Sequence, residues 1–92
     1  MNVNEYFDGK VKSIGFETSG QRSSVGVMTP GEYRFDTAAP EKMTVVAGEM
    51  VVKLPGNIEW QTFSAGDSFD VPGTSAFDIK VSDSVAYLCD YL

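Results

Sequence analysis

Apolar side chains alternate with polar ones along much of the chain, in segments that are too short for substantial helices. The alternation is clearest at 33–37 and 77–81, where aromatic and aliphatic side chains alternate with charged or small polar ones, and it recurs at 68–71. A period of two places successive side chains on opposite faces of an extended backbone. These segments therefore predict half-buried β-strands, and the apolar stretch 25–28 predicts another.

Turn-forming residues divide the chain at short and fairly even intervals. They cluster at 19–20, 30–31, 40, 55–57, 65–67, 72–73 and 82–84. About nine short strands result, at the spacing of a β-sandwich or barrel. The only helical piece that the pattern predicts is a single turn near Ala38 to Lys42. We therefore expect one all-β domain over residues 1–92, because a chain of this length has material for a single core.

Two segments, 43–54 and 85–92, depart from the simple alternation because they carry apolar side chains on both faces. A strand that is wet on one side should be polar on that side. Either these strands lie in a doubly covered centre, or a second sheet covers one face and a partner subunit covers the other. A chain of 92 residues has little material for a doubly covered centre. We therefore predict a homodimer.

The charge balance excludes whole classes of partner. Thirteen acidic residues against seven basic ones give a net charge of −6, so the field of the molecule repels nucleic acids and anionic membranes. No apolar run approaches the length of a membrane span, and the first ten residues lack the features of a secretion signal. A lone cysteine, Cys89, cannot form an internal disulfide. We expect a soluble cytoplasmic protein.

The chain contains no histidine. Histidine is the usual general base and the commonest zinc ligand, so its absence also removes the Ser–His and Cys–His nucleophile pairs. Without a histidine to lower its pKa, Cys89 is interpreted as a buried small hydrophobe rather than a nucleophile.

Two short motifs resemble the half-motifs of the cupin superfamily. Residues 66–73 read G-D-S-F-D-V-P-G, and Glu41 is followed seven residues later by Gly48. In metal-binding cupins the two half-motifs supply three histidines and a glutamate. Here Glu41 alone is present, and the histidine positions fall near 34–37 and at Phe77. The resemblance implies a cupin-like β-barrel or jelly roll without a histidine-held metal, whose aromatic-lined mouth suits an organic ligand.

A closer resemblance covers nearly the whole chain, in the same order. The chain resembles the small bacterial pyrimidine/purine nucleoside phosphorylases of cupin fold at 4–13, 24–28, 31–37, 41–45 with Gly48, Trp60, 69–72 and 87–91. Membership would imply phosphorolysis, in which a nucleoside and inorganic phosphate give a free base and ribose 1-phosphate. It would also imply tolerance for purine and pyrimidine bases and a homodimer. Because the chain offers no histidine cage and only one motif carboxylate, we expect no cofactor besides the phosphate co-substrate.

Given that reaction, Arg22 is the predicted phosphate-binding residue, supported by the hydroxyl groups of Ser23 and Ser24. The planar guanidinium of arginine donates two hydrogen bonds to adjacent phosphate oxygens. The alternative is that Arg22 is a solvated loop residue, as most arginines are.

Glu41 occupies the cupin glutamate position and would point into the barrel. There a carboxylate can accept hydrogen bonds from the ribose hydroxyls and stabilise positive charge at C1′. The alternative is a turn carboxylate that follows Pro40.

Five further residues share strand faces that we expect to line the cavity and hold the base, although each could equally be plain core: Tyr33, Phe35, Thr37, Met43 and Phe77. An aromatic surface tolerates every base because every base has a π-face. Gln61, beside Trp60, and Tyr91 are candidates for hydrogen bonds to the base edge, or else lie on the rim.

The fold alone permits a second class of function. A catalytically silent cupin that binds a small metabolite, as a sensor or interaction module, would have the same fold. Such a binder would hold nucleosides with or without phosphate and release no base. A purely structural dimer would bind no ligand.

Overall fold

Ten β-strands form the regular structure of the chain, in a computed structural model that describes all residues 1–92. The strands are β1 (Asn2–Tyr6), β2 (Val11–Thr18), β3 (Gln21–Met28), β4 (Gly31–Thr37), β5 (Glu41–Ala47), β6 (Glu49–Lys53), β7 (Gln61–Ser64), β8 (Ser68–Val71), β9 (Ser75–Val81) and β10 (Val85–Tyr91). The expected all-β architecture of short strands is confirmed. The structure has ten strands where about nine were expected, and the alternation does not predict β1.

The strands form two antiparallel sheets. A six-stranded sheet has the order β1-β2-β3-β10-β5-β8, and a four-stranded sheet has the order β4-β9-β6-β7. Strands that follow one another in sequence repeatedly pass from one sheet to the other, which is the connectivity of a jelly-roll sandwich. The sheets keep free edges, so the architecture is a jelly roll rather than a closed barrel.

The predicted helical turn at Ala38 to Lys42 is wrong. The chain bends after β4 and enters β5 at Glu41, so Lys42 is already in a strand. Proline disfavours helical geometry in the residue before it. The carbonyl groups here bond elsewhere, because that of Ala38 accepts from the Thr74 amide and that of Pro40 from the Leu92 amide.

The first of the two doubly apolar segments is a pair of strands, β5 and β6, that belong to different sheets. They are separated by Gly48, whose φ of +84° favours glycine, and a Cβ there would lie 2.8 Å from the Ser84 carbonyl oxygen.

The core between the sheets contains fifteen buried residues: Val11, Met28, Tyr33, Met43, Val45, Met50, Val52, Phe69, Val71, Phe77, Ile79, Val81, Val85, Tyr87 and Cys89.

An apolar row crosses the outer face of the six-stranded sheet. Val3, Ile14, Val25 and Leu88 are cross-strand neighbours on β1, β2, β3 and β10. The first three are exposed, and Leu88 is partly exposed. Such a continuous aliphatic row on an exposed sheet face is typical of an interaction surface. None of the chain's secondary structure is a helix with the length and apolar character needed to cross a membrane.

Candidate functional site

A cavity of about 210 Å³ opens between the two sheets. Both sheets contribute to its twelve lining residues: Tyr6, Ser13, Ser24, Met28, Phe35, Asp36, Glu41, Met43, Phe77, Tyr87, Cys89 and Tyr91. Most lie on the six-stranded sheet, and Phe35, Asp36 and Phe77 lie on the four-stranded one. The cavity is the best candidate for a ligand site because it combines aromatic walls with converging polar groups.

The inner face of the six-stranded sheet positions the hydroxyl and thiol groups. Ser24, Cys89 and Met43 are direct cross-strand neighbours on β3, β10 and β5. The absence of a side chain at Gly26 gives Tyr87 its place, since a Cβ there would lie 2.7 Å from the Tyr87 phenol oxygen. Because side chains alternate along each strand, the same register brings these polar groups to one wall.

Aromatic rings form the opposite wall. Phe35 and Phe77 are cross-strand partners on β4 and β9, and their rings stack with centroids 5.9 Å apart at 29°. Tyr6 meets Phe35 edge to face, with centroids 6.2 Å apart. Met43 completes the apolar surface. Flat aromatic faces and a thioether suit a planar ligand without reading its polar edge.

Glu41 places a carboxylate at the cavity. The Cys89 thiol donates a hydrogen bond to Glu41 Oε1, with 3.3 Å between sulfur and oxygen. Burial raises the pKa of Glu41, and the bond from Cys89 opposes that shift. Burial, followed by the neighbouring Glu41 charge, raises the pKa of Cys89, so the thiol stays protonated and acts as a donor rather than a nucleophile.

The second polar pair joins Ser24 and Tyr91, whose hydroxyl oxygens lie 2.9 Å apart. Burial raises the pKa of Tyr91, and its hydrogen bond with Ser24 opposes the shift. Tyr91 is also the cross-strand partner of Glu41. The phenol therefore stays protonated beside the Glu41 carboxylate.

No basic side chain lines this cavity, whereas two acidic ones, Asp36 and Glu41, do. A bare dianion placed among them would meet repulsion without compensation. The cavity therefore suits a neutral, hydroxyl-bearing, flat molecule.

Arg22 lies in a neighbouring depression on the same sheet. Its lining also includes Asn2, Asn4, Gly15 and Glu17. The depression shares two residues with the cavity, Ser24 and Tyr91, and the Arg22 guanidinium carbon lies 6.0 Å from the Tyr91 ring centroid. Arg22 thus places a cation at the border of a cavity that has none.

Two other basic residues, Arg34 and Lys80, make their contacts away from the cavity. Arg34 pairs with Asp78 at 3.1 Å on the outer face of the four-stranded sheet, and Lys80 lies 4.2 Å from the centre of the exposed Trp60 ring. Arg22 forms no ion pair within 4.0 Å, although Glu17 is its cross-strand partner. Its guanidinium is therefore available to an anion.

The structure brings together six of the ten predicted site residues around the cavity: Ser24, Phe35, Glu41, Met43, Phe77 and Tyr91. Arg22 borders the adjoining depression instead. The functional roles assigned to these residues stay predictions.

Three further predicted residues line neither the cavity nor the depression. Tyr33 is buried at one end of the sandwich, where its phenol donates to the Thr29 carbonyl at 2.6 Å. Thr37 is buried at the other end of β4, and its hydroxyl donates to the Pro72 carbonyl at 2.7 Å. Gln61 is exposed at the start of β7. Tyr33 and Thr37 thus serve turns at the two ends of their strand.

Four polar lining residues were missed: Tyr6, Ser13, Asp36 and Tyr87. A signal existed for Tyr87, which shares the inward face of β10 with Cys89 and Tyr91. Tyr6 had no such signal, because β1 is exposed throughout and therefore has no buried face that an alternating sequence pattern could mark. Ser23 also differs from expectation, since its hydroxyl donates to Asp90 at 2.6 Å and is occupied by that bond.

The cavity residues do not fit a cupin metal. No group of three or more histidine, cysteine, aspartate or glutamate side chains is close enough together to hold an ion. Within the cavity, the Glu41 carboxylate bonds to a protonated thiol. A cupin-type metal needs several converging nitrogen and oxygen donors, which this arrangement does not offer.

Comparisons with known proteins identify one family along the chain. The model of the family described as pyrimidine/purine nucleoside phosphorylase matches residues 1–91. A protein of that name from Photobacterium profundum is 67% identical over 92 residues, covering 100% of this chain and 99% of the relative. These matches extend along the whole chain.

Solved structures support the fold. A crystal structure of a protein of unknown function from Vibrio parahaemolyticus has a TM-score of 0.96 and 58% identity, covering 99% of this chain and 97% of that one. A cupin superfamily protein from Desulfitobacterium hafniense has a TM-score of 0.75 and 15% identity, covering 100% of this chain and 83% of that one. At that identity the second likeness concerns the fold alone. The expected cupin-like jelly roll is confirmed.

Proposed function

Because the chain belongs to the pyrimidine/purine nucleoside phosphorylase family, we propose that it catalyses phosphorolysis of purine and pyrimidine nucleosides. A phosphate oxygen forms a bond to C1′ of the ribose while the bond from C1′ to the base nitrogen breaks. The electron pair of that bond leaves with the base, which takes up the proton that hydrogen phosphate loses as it becomes the ester. The products are a free base and ribose 1-phosphate.

The observation that carries the proposal is the pairing of two adjoining concavities of opposite character. One is flat-walled and rich in hydroxyl groups, with Glu41 but no basic side chain. The other contains Arg22, which forms no ion pair with the neighbouring Glu17, and shares Ser24 and Tyr91 with the first. Phosphorolysis requires a neutral nucleoside and a phosphate dianion to bind side by side, so that one phosphate oxygen can reach C1′. The two concavities offer an environment for each.

We assign the base to the aromatic wall formed by Phe35 and Phe77. Stacking on a π-face is similar for purines and pyrimidines, so it supports a broad range of bases. The ribose then lies toward the polar wall, where Glu41 accepts from its hydroxyl groups. The Glu41 charge also stabilises the positive charge that builds at C1′ as the base departs.

We assign phosphate to Arg22. Its guanidinium is free of ion pairs, and a bidentate arginine contact orients phosphate as well as holding it. Holding the dianion in the depression keeps it apart from Glu41 until reaction. The proposed chemistry needs no metal ion, because the Arg22 guanidinium supplies the positive charge that the phosphate requires.

We propose that two copies of the chain pair through the apolar row at Val3, Ile14, Val25 and Leu88. A twofold contact would place this aliphatic row against its own copy and remove both from water. This contact would cover the outer face of β10, which carries apolar side chains on both of its faces. We further propose that the enzyme works in the cytoplasm, where nucleosides and phosphate are both available.

The direct test is incubation of the purified protein with a nucleoside panel, with and without phosphate, while free base and ribose 1-phosphate are followed. Base release that requires phosphate and matches ribose 1-phosphate one to one supports phosphorolysis. Arg22→Ala should lower the rate of base release at subsaturating phosphate, and Arg34→Ala, which removes an arginine paired with Asp78 on the outer face, is the matched control. Nucleoside binding without base release would instead identify a catalytically silent binder.

A further inference from the structure

One hydrogen-bonded pair lies at the border between the cavity and the depression. Ser24 and Tyr91 are the two residues that line both concavities, and their hydroxyl oxygens lie 2.9 Å apart. Any phosphate held at Arg22 lies on one side of this pair, and any ribose beside Glu41 lies on the other. The pair therefore occupies the path along which the attacking oxygen must meet C1′.

Tyr91 lies between the two charged residues of the site. On one side, its ring is 6.0 Å from the Arg22 guanidinium carbon. On the other, it is the cross-strand partner of Glu41 on β5. The order across the strands β3, β10 and β5 is thus Arg22, Tyr91, Glu41. From the sequence, Tyr91 was a candidate for the base edge, but this position is at the phosphate side.

We propose, on the basis of the function assigned above, that the Tyr91 phenol is a phosphate-binding group that exchanges its hydrogen bond with Ser24 for one to the incoming phosphate. Ser24 then holds the phenol in place while phosphate is absent. When phosphate arrives, the phenol O–H donates to a phosphate oxygen, and the charged acceptor makes that bond stronger than the neutral one it replaces. The exchange also opens the border between the two concavities.

The surroundings of Tyr91 permit this exchange without movement of the backbone. Its carbonyl accepts from the Gln21 side-chain amide at 2.9 Å, and the next amide, that of Leu92, donates to the Pro40 carbonyl at 2.9 Å. The main chain is thus held on both sides. The Tyr91 side chain itself is 39% exposed, which leaves room for rotation toward the depression.

Two single-atom variants separate a phosphate contact from a structural one. Tyr91→Phe and Ser24→Ala both remove the same hydrogen bond, but only Tyr91→Phe removes the phenol hydroxyl. We expect Tyr91→Phe to weaken the binding of inorganic phosphate, measured by calorimetry, about tenfold, as expected for a lost charge-assisted hydrogen bond. Ser24→Ala should change it less than twofold. In turnover, Tyr91→Phe should raise the phosphate KM by a similar factor, with less than a twofold change in the nucleoside KM.

Equal losses of phosphate affinity in the two variants would overturn the inference, because the phenol would then act only through Ser24. A rise in the nucleoside KM alone would also overturn it and return Tyr91 to the base edge. Thermal melting of both variants checks that the fold is retained. The calorimetric titration needs no nucleoside, so it tests Tyr91 even where wild-type protein releases no base. The absence of base release from wild-type protein would separately refute the proposed phosphorolysis.

Discussion

Replacement of Glu41 by glutamine tests the centre of the proposed mechanism. The change removes one negative charge from the cavity wall while the size of the side chain is kept, and the amide oxygen can still accept the hydrogen bond from Cys89. The bonds from glutamine to ribose hydroxyl groups can also persist. What is lost is the interaction between a carboxylate and the positive charge that develops at C1′, so we expect kcat to fall more than nucleoside binding.

The size of the loss follows from charge and distance. The ribose of a nucleoside bound in the cavity of about 210 Å³ lies close to the Glu41 carboxylate, which lines that cavity. At a separation of about 6 Å and an effective dielectric constant of about 20, a full positive charge is stabilised by about 3 kcal/mol. The transition state carries part of that charge, so the expected loss is about 1.4 to 3 kcal/mol, or about tenfold to 150-fold in kcat.

Steady-state phosphorolysis with saturating phosphate measures this effect. Asp36→Asn is the matched control, because Asp36 is the other carboxylate at the cavity and lies on the opposite sheet. We expect a clearly smaller fall in kcat for the control. A fall of less than twofold in Glu41→Gln, or equal falls in both variants, would refute the specific role of Glu41 at C1′.

The pH dependence gives a second readout of the same substitution. Burial raises the pKa of Glu41 above the ordinary value of 4.5, so kcat should fall as the pH drops through that raised pKa. The folded state binds this proton more tightly than the unfolded chain, so the free energy of unfolding decreases as the pH rises from the unfolded pKa through the folded one. Glu41→Gln should therefore remove the acid limb of the rate profile and raise the Tm at pH 7, a difference that disappears below about pH 4.

Four other substitutions or treatments address the remaining parts of the proposal. Arg22→Ala should raise the activation free energy that kcat/KM for phosphate reports by about 2 to 3 kcal/mol, equally for purine and pyrimidine substrates. An unchanged phosphate dependence would place the phosphate site elsewhere. Phe77→Leu should alter the purine-to-pyrimidine ratio of kcat/KM, whereas Arg22→Ala should not. Chelator treatment should leave the rate unchanged, and a loss that a divalent ion restores would contradict a metal-free site. Light scattering should give twice 10.0 kDa for the native chain and a monomer for Val25→Asp, which introduces a charge into the exposed apolar row.

Alternation in the sequence predicted which face of a strand is buried, but not where along the sheet the cavity opens. Tyr33, Phe35 and Thr37 share one face of β4, and all three were therefore expected at the site. Only Phe35 lines the cavity. The others are buried against the turns at opposite ends of the strand, where their hydroxyl groups donate to backbone carbonyls. A period of two carries information about orientation alone, and position along the sheet depends on tertiary register.

The N-terminal strand marks a different limit of sequence reasoning. All five residues of β1 are exposed, so the segment has no burial pattern from which a strand could be inferred. It is held by its register with β2, from Asn2 opposite Gly15 to Tyr6 opposite Val11. That pairing brings Tyr6 edge to face with Phe35. A residue of the cavity wall thus depends on an edge strand that only the neighbouring strand specifies.

The distribution of charge around Tyr91 has a physical reason if phosphate and nucleoside bind as proposed. A phosphate dianion and the Glu41 carboxylate repel each other, yet the reaction needs both near C1′, one to attack and the other to stabilise positive charge. Two neutral hydroxyl groups, of Ser24 and Tyr91, separate Arg22 from Glu41. A cation at this border would neutralise Glu41, and an anion would repel phosphate. Neutral donors avoid both effects, and the burial that raises the pKa of Tyr91 keeps its phenol neutral. The junction between the two concavities must therefore be built from hydroxyl groups for each charged residue to keep its own substrate.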